Sequence, residues 1–555
     1  MKRRLLFFGA LVITMSSYSQ FALVKDINPS GSSDPSHFIE FQNELYFYAT
    51  GPVGNSNSII VDVFKTDGTS VGTLPITPST ISNPIPGTSF PAPMMVSSNL
   101  LYYYREPLGI SRPTAIPNVP GGLWSYNGNI SSYIFINNAR LTHSIFEFNG
   151  DPYFGSYLSN APSKSDIYYI PGGGAVTQGP PARAWHLGID DFQTNGVIEY
   201  NNSIITSIGT MSGTPFLFYR DEELWKINPD NTLTLIKNIN TAVINSLAGS
   251  SFPRDYTVFN GLVFFSANDN VDNREVWFTD GTNAGTQKLT EINASGSADP
   301  RDFIVFNNKL FFTADDGDNG LELWATDGSE NTNLIANIGG FNSSEPKEFF
   351  VFDGELFFTA LSGAIGRELF KVDASDTVTL VKDINAGLDG SDPQDFVIYN
   401  NKMYFSAETG GGRELFVSDG SPSGTVLVGE INTDPNVGSN PEHLFVWNNK
   451  LYFAANDSAV NGQELWSYTD PVLTVGDVEF SRVSLSPNPA KTTFKINGLD
   501  NETTVTIFDI TGKRVLSIDN YIPESLIDTE RLKTGLYLVQ VSGLNGNETY
   551  KLLID

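Results

Sequence analysis

One alternation of apolar runs and two-residue breaks recurs along the chain: "VFNGLVFF" (258–265), "VFNNKLFF" (305–312), "VFDGELFF" (351–358), "IYNNKMYF" (398–405) and "VWNNKLYF" (446–453). Asn-Gly, Asn-Asn and Asp-Gly tolerate the positive φ that a type I′ turn needs at both central positions, so each copy predicts a β-hairpin. The aromatic residue before the turn falls at Phe259, Phe306, Phe352, Tyr399 and Trp447, in steps of 47, 46, 47 and 48. Looser copies precede them at 40–47, 96–103, 147–154 and 199–206, giving nine modules.

Each regular module continues with a third apolar stretch of the "ELW" type and a fourth of the "TLVKDIN" type (379–385). Runs such as Leu310-Phe311-Phe312 place bulky apolar groups on both faces of a strand, so both faces must be covered. Four-stranded units of this length, each covered by its neighbours, predict an all-β fold built as a large β-propeller of eight or nine blades. The count is eight if one irregular module between residues 80 and 200 is an insertion.

The third strand runs into a turn that is copied as well: "REVWFTDGTNAGT" (274–286), "LELWATDGS" (321–329) and "VFKTDGTSVGT" (63–73). These strings resemble the signature of secreted bacterial proteins that carry a Glu-Leu-Trp-x-Thr-Asp-Gly-Thr repeat, and the resemblance covers about 450 residues. It implies secretion and a propeller-like repeat, and it implies no activity. Phe370 and Phe416 stand where the motif has Trp.

A residue needed in every module points to architecture before chemistry. Trp225, Trp277, Trp324 and Trp466 are expected to fill the gap between adjacent blades. Glu223, Glu275, Glu322, Glu368, Glu414 and Glu464 are expected to accept backbone N–H groups of a turn, with a ring of carboxylates around the axial channel as the alternative. Asp67, Asp280, Asp327 and Asp419 are expected to cap their own Asp-Gly turns.

Composition narrows the partners. "MKRRLLFFGALVITMSSYSQ" has a basic start, a short apolar run and small residues near its end, which reads as a secretory signal over residues 1–19. The chain carries a formal charge of −29, and taking Lys2, Arg3 and Arg4 from its 33 Lys and Arg leaves 30 against 62 Asp and Glu, a net of −32. Such a field repels nucleic acid and anionic lipid. The mature chain has no apolar segment long enough for a transmembrane span. The absence of cysteine excludes a disulfide framework and a thiolate nucleophile.

Catalytic signatures are missing. The histidines, His37, His143, His186 and His443, are widely separated along the chain and show no metal-ligand pattern. The Gly-x-Ser-x-Gly string at 68–72 belongs to a copy of the repeat turn and is no strand-to-helix elbow, and no phosphate-binding loop precedes a helix, so no catalytic or cofactor-binding residue is assigned. In "TADDGDNGLE" (313–322), Asp315, Asp316 and Asp318 lie close enough together to suggest a calcium loop, the one cofactor the sequence raises.

The repeat ends near residue 470, a linker follows over 471–483, and residues 484–555 read as short alternating strands of a small β-sandwich. Pro487-Asn488-Pro489, "VTIFDITGKRV" with Gly512, and Leu532 to Leu538 with Gly535 and Tyr537 resemble the C-terminal sorting domain of the type IX secretion system. The resemblance implies export across the outer membrane, through contact of residues 484–555 with the secretion machinery, to the medium or the cell surface. Residues 20–470 are then expected to bind an unidentified glycan or protein, either through the channel mouth or through rim loops. The Pro-rich inserts at 81–93 and 105–122 are candidates for such loops. The alternatives are a carbohydrate-active or other hydrolytic enzyme with paired channel carboxylates, and a structural surface-layer protein. Finally, the "ALVKDIN" stretch that opens the mature chain looks like a spare fourth strand, and the last module lacks one. Residues 22–28 are therefore expected to pair beside 463–468 and close the ring.

Overall fold

The computed structural model describes residues 20–53, 58–76, 94–105, 122–134, 139–158, 161–170, 177–178, 196–212, 219–244, 247–270, 273–340, 342–432, 434, 437–457, 462–470, 484–499, 503–509, 513–543 and 546–555. Residues 1–19, where a secretory signal is expected, and nearly all of both Pro-rich inserts lie outside them. The described residues contain strands and no helix, and they divide into two compact units, 1–470 and 471–555.

In the first unit the described residues form nine four-stranded antiparallel sheets, called here the first to the ninth in chain order. The sixth shows the plan. Arg301–Phe306, Lys309–Asp315, Leu321–Thr326 and Thr332–Ala336 pair in sequence order, with Phe306 opposite Lys309, Phe312 opposite Trp324 and Trp324 opposite Leu334. Asn307 and Asn308 take φ of 46° and 59° in the two-residue turn, the left-handed geometry for which asparagine is suited.

Successive sheets stack face against face. Leu310 and Phe312 bury themselves against the fifth sheet and Phe311 against the seventh, which explains the unbroken apolar run. Each of the other neighbouring pairs likewise shares an apolar cluster, and one more joins the ninth sheet to the first through Leu465, Tyr452 and Trp447 against Phe47 and Phe64. The ninth sheet draws its outer strand from the other end of the unit. Phe21–Lys25 runs antiparallel to Gln463–Tyr468, with Phe21 opposite Tyr468 and Ala22 opposite Ser467.

The Asp-Gly-Thr loop is a self-contained knot of hydrogen bonds. Asp67 accepts from the Thr69 backbone N–H and hydroxyl at 2.9 and 2.7 Å, and Thr66 and Thr73 share a bond of 2.7 Å across the loop. A Cβ at Gly72 would lie 2.0 Å from the Asp67 carboxylate, so that position requires glycine. The fourth strand of the preceding sheet sends a lysine into the loop: Lys25 Nζ donates to Thr73 O, Lys237 to Thr286 O and Lys382 to Thr425 O, at 2.6–2.7 Å. Where the next sheet lacks the full Thr/Ser-Asp-Gly-Thr/Ser-x-x-Gly-Thr loop, the lysine position holds Thr290, Ala336 or Gly429.

The second unit has a three-stranded and a four-stranded sheet that share one core, with Phe494, Ile496 and Ile527 from the one against Val505, Ile507, Val539 and Leu552 from the other. Asn488 clamps the last strand, donating to Lys551 O and accepting from the Leu553 N–H, and Tyr537 donates to Lys533 O. Gly535 opens the strand Gly535–Gly543, Pro487 and Pro489 flank Asn488, and Gly512 lies outside the described residues.

Candidate functional site

Two sets of repeated charged residues differ in what they touch. The first is the glutamate of the third strand. Glu368 is fully buried and accepts from the Ile384 and Asn385 N–H groups, at 3.1 and 3.2 Å, and from the Ser391 hydroxyl. Glu223, Glu275, Glu322 and Glu464 repeat this arrangement with the turn after the fourth strand, and Glu414 accepts from Ser439. In the first sheet Asp62 is the buried acid at this place, which the Glu motif does not reveal. These carboxylates sit on third strands, within the sheets. Burial raises the pKa of each one for which a shift is resolved, against the pull of the hydrogen bonds, and pushes Glu464 up to about 7.

The second set was not singled out by the sequence reading. At the start of six of the nine first strands, those of the first and the fifth to ninth sheets, the chain spells Ser-x-Pro-x-acid or a close variant, as in "SEPKE", "SDPQD" and, ending in His, "SNPEH". A bulge there throws His37, Asp255, Asp302, Glu348, Asp395 and His443 into positive φ of 57–59°. The residue three positions earlier is also left-handed, from 40° at Asp392 to 48° at Asp34. Non-glycine residues in this region are strained, and the surroundings hold them there. Arg274, Arg367 and Arg413, each beside its buried Glu, donate to the carbonyls of Phe252, Glu345 and Asp392.

First strands of successive sheets pack side by side, so these six residues, from the fifth to ninth sheets and the first, follow one another around the unit. Burial, with Asp302 and Asp299 close by, pushes Asp255 up to about 6 against the pull of Arg254. Partial desolvation by the surrounding protein also raises Asp302, although its side chain stays 45% accessible, and partial desolvation with Asp395 close by raises the exposed Glu348. The backbone N–H of His443 donates to the Asp395 carboxylate at 2.9 Å. The His37 and His443 rings, distant in sequence, lie 6.2 Å apart, a proximity that their separation along the chain does not indicate. A cavity of about 500 Å3 opens at this level, lined by Asp255, Arg301, Asp302, Lys347 and Glu348 with Ile304 and Phe349 in its wall.

The other expected residues have local tasks. Asp280, Asp327 and Asp419 accept from Thr282, Ser329 and Ser421 in their own turns. Trp277 is buried between the fourth and fifth sheets, whereas Trp324 and Trp466 are half-buried against the fifth and eighth. Asp315 accepts from the Gly317 N–H, and Asp316 from Asp318 and Asn319. Burial alone would raise Asp316, and the hydrogen bonds from Asn319 outweigh it and lower it. Among the described residues no group of three or more His, Asp or Glu is arranged to hold a metal ion.

Residues 484–555 match the secretion system C-terminal sorting domain family, and this domain sends the protein across the outer membrane to the cell surface or the extracellular space. It implies contact with the secretion machinery. No helix of the described residues is long and apolar enough to cross a membrane. No curated protein matches the sequence. Among solved structures, the chain is similar to PorZ, a bacterial surface component of the type-IX secretion system of Porphyromonas gingivalis, at 12% identity and a TM-score of 0.31, over 94% of this chain and 86% of that one. It is similar to Porphyromonas gingivalis dipeptidyl peptidase 4 at 9% identity and a TM-score of 0.42, over 77% and 65%. It is also similar to the β-propeller domain of the trilobed protease from Pyrococcus furiosus at 11% identity and a TM-score of 0.30, over 63% and 97%.

Proposed function

We propose that residues 20–470 form a closed nine-bladed propeller of the Glu-Leu-Trp-x-Thr-Asp-Gly-Thr repeat type. Residues 484–555 form its β-sandwich sorting domain, and the exported protein binds a ligand at the mouth of the propeller channel. One observation carries the binding site: six titratable side chains stand at strained bulges on the side-by-side first strands of six consecutive sheets, here taken as the inner strands. None of them holds the turn of its own sheet as the repeated glutamates do, and Asp395 accepts instead from the His443 backbone of the next sheet. The 500 Å3 cavity beside three of them is of ligand-pocket size.

A glycan and protein binding array with the full mature chain, run with and without Ca2+, tests the reading. Ligands captured by the wild type should be lost when Asp302→Asn and Glu348→Gln are combined. Capture that is untouched by this pair would move the site elsewhere. A hydrolytic reading draws on the neighbouring Asp255 and Asp302, both with raised pKa. In that case Asp255→Asn would abolish product release from an array ligand while leaving capture intact.

A further inference from the structure

The inner strands carry a second row beyond the charged mouth. Three residues further along, roughly 10 Å at about 3.3 Å per residue, the fifth to ninth sheets present Val258, Val305, Val351, Ile398 and Val446, each 37–49% exposed. A single exposed valine on a surface is ordinary, but five at one register position on adjoining inner strands make a continuous apolar wall. The same position holds exposed Glu40, Glu147 and Glu199 in the first, third and fourth sheets. Half-buried Val96 holds it in the second. The row is thus divided into an apolar arc and an acidic arc.

The mouth above it is divided in a matching way. At the fifth to seventh sheets its acids stand with cations: Arg254 beside Asp255 and Asp299, Arg301 beside Asp302, Lys347 beside Asp392. At the eighth, ninth and first sheets the corresponding acids are Asp395, Glu442 and Asp34. Among the described residues no lysine or arginine lies within ion-pair distance of these three. Desolvation and the nearby Glu442 raise the Asp34 pKa, as expected of carboxylates facing one another without a counter-charge.

Resting on the reading of the channel as the binding site, we propose that its inner wall docks a basic polypeptide segment whose lysines or arginines alternate with apolar side chains. The apolar side chains lie on the Val258–Val446 arc, and the cations meet Glu40, Glu147 and Glu199 on the far side and Asp34, Asp395 and Glu442 at the mouth. Charge complementarity selects this occupant. An acidic or purely apolar segment would leave those six carboxylates uncompensated, and the −29 charge of the whole chain steers a basic partner inward.

Fluorescence anisotropy of the full mature chain with short labelled peptides tests this. A peptide alternating lysine and leucine should bind saturably and about tenfold or more tighter than one alternating glutamate and leucine, or lysine and serine. Replacing Val351→Lys together with Ile398→Lys should weaken it about tenfold at unchanged melting temperature, and Glu199→Gln should weaken it less. Equal binding of the lysine–serine peptide, no binding of the lysine–leucine peptide, or binding indifferent to the double substitution would each overturn the assignment. Should array ligands depend on Asp302 and Glu348 while the lysine–leucine peptide fails to bind, the ligand class falls and the mouth reading stands. Failure of both experiments removes both.

Discussion

The repeated glutamates of the third strands and the repeated acids of the inner bulges occur in the same modules, yet they live in opposite surroundings. Glu368 is enclosed by donors from the turn it organises, whereas Asp302 is exposed at a strained bulge among other carboxylates. Repetition alone therefore does not separate scaffold from site. The separation comes from whether a carboxylate has donors of its own, because a satisfied buried acid is costly to remove and an exposed, crowded one is not.

Removing the donors of one such acid altogether should have the largest effect. Deleting residues 21–28 takes away the outer strand of the ninth sheet and the Ile27 and Asn28 N–H groups that hold Glu464. The expected outcome in circular dichroism is a chain that no longer melts cooperatively at the wild-type temperature. An unchanged melting curve would break the comparison at its root.

Glu368→Ala comes next. It leaves the Ile384 and Asn385 N–H groups and the Ser391 hydroxyl without their acceptor, at a cost of about 3 kcal/mol in chemical denaturation. Trp324 tests the packing beside the equivalent acid of the sixth sheet, Glu322. Because Phe370 and Phe416 occupy the same place in other sheets, the ring body matters and the indole N–H does not. Trp324→Phe should cost about 1 kcal/mol, and Trp324→Ala about 2–4 kcal/mol, since the side chain is half-buried.

The pH profile sharpens the contrast further. Glu464 has a folded pKa of about 7 against an ordinary 4.5, so the folded state holds its proton more tightly than the unfolded chain. The stability gained from that proton is fully present below about 4.5 and is lost as pH rises through about 7. The melting temperature should therefore fall between pH 5 and pH 8, and Glu464→Gln should flatten that slope. The smallest change is expected of Asp302→Asn, within about 0.5 kcal/mol of wild type at neutral pH, because the side chain holds no turn. A large loss there would return Asp302 to the scaffold.

Hairpins, third strands and Asp-Gly turns were legible in the sequence because their causes are local: two residues that accept positive φ, a period-two pattern, a side chain that caps its own loop. The glutamate donors were half legible, since the acid repeats and its partners lie some fifteen to twenty-five residues on, outside any short motif. The lysine that reaches the next loop was visible in "TLVKDIN", but its meaning depends on the loop of the following sheet. The bulge acids were the least legible. They precede apolar strands in the guise of ordinary surface residues, and only the Ser-x-Pro-x-acid recurrence marks them. The meeting of His37 with His443 follows from ring closure, which local sequence does not encode.

The proposed channel wall and mouth both require that the N-terminal strand, paired with Gln463–Tyr468, closes the ring. The chain contains no cysteine, so the pair Ala22→Cys and Ser467→Cys, opposite one another in the antiparallel register, can be read without background. The measurement is the intact mass and peptide map after mild oxidation of the full mature chain. The account predicts an intramolecular disulfide linking the 22 and 467 peptides in nearly every molecule, together with a raised melting temperature. Free thiols, or disulfides only between separate chains, would contradict it.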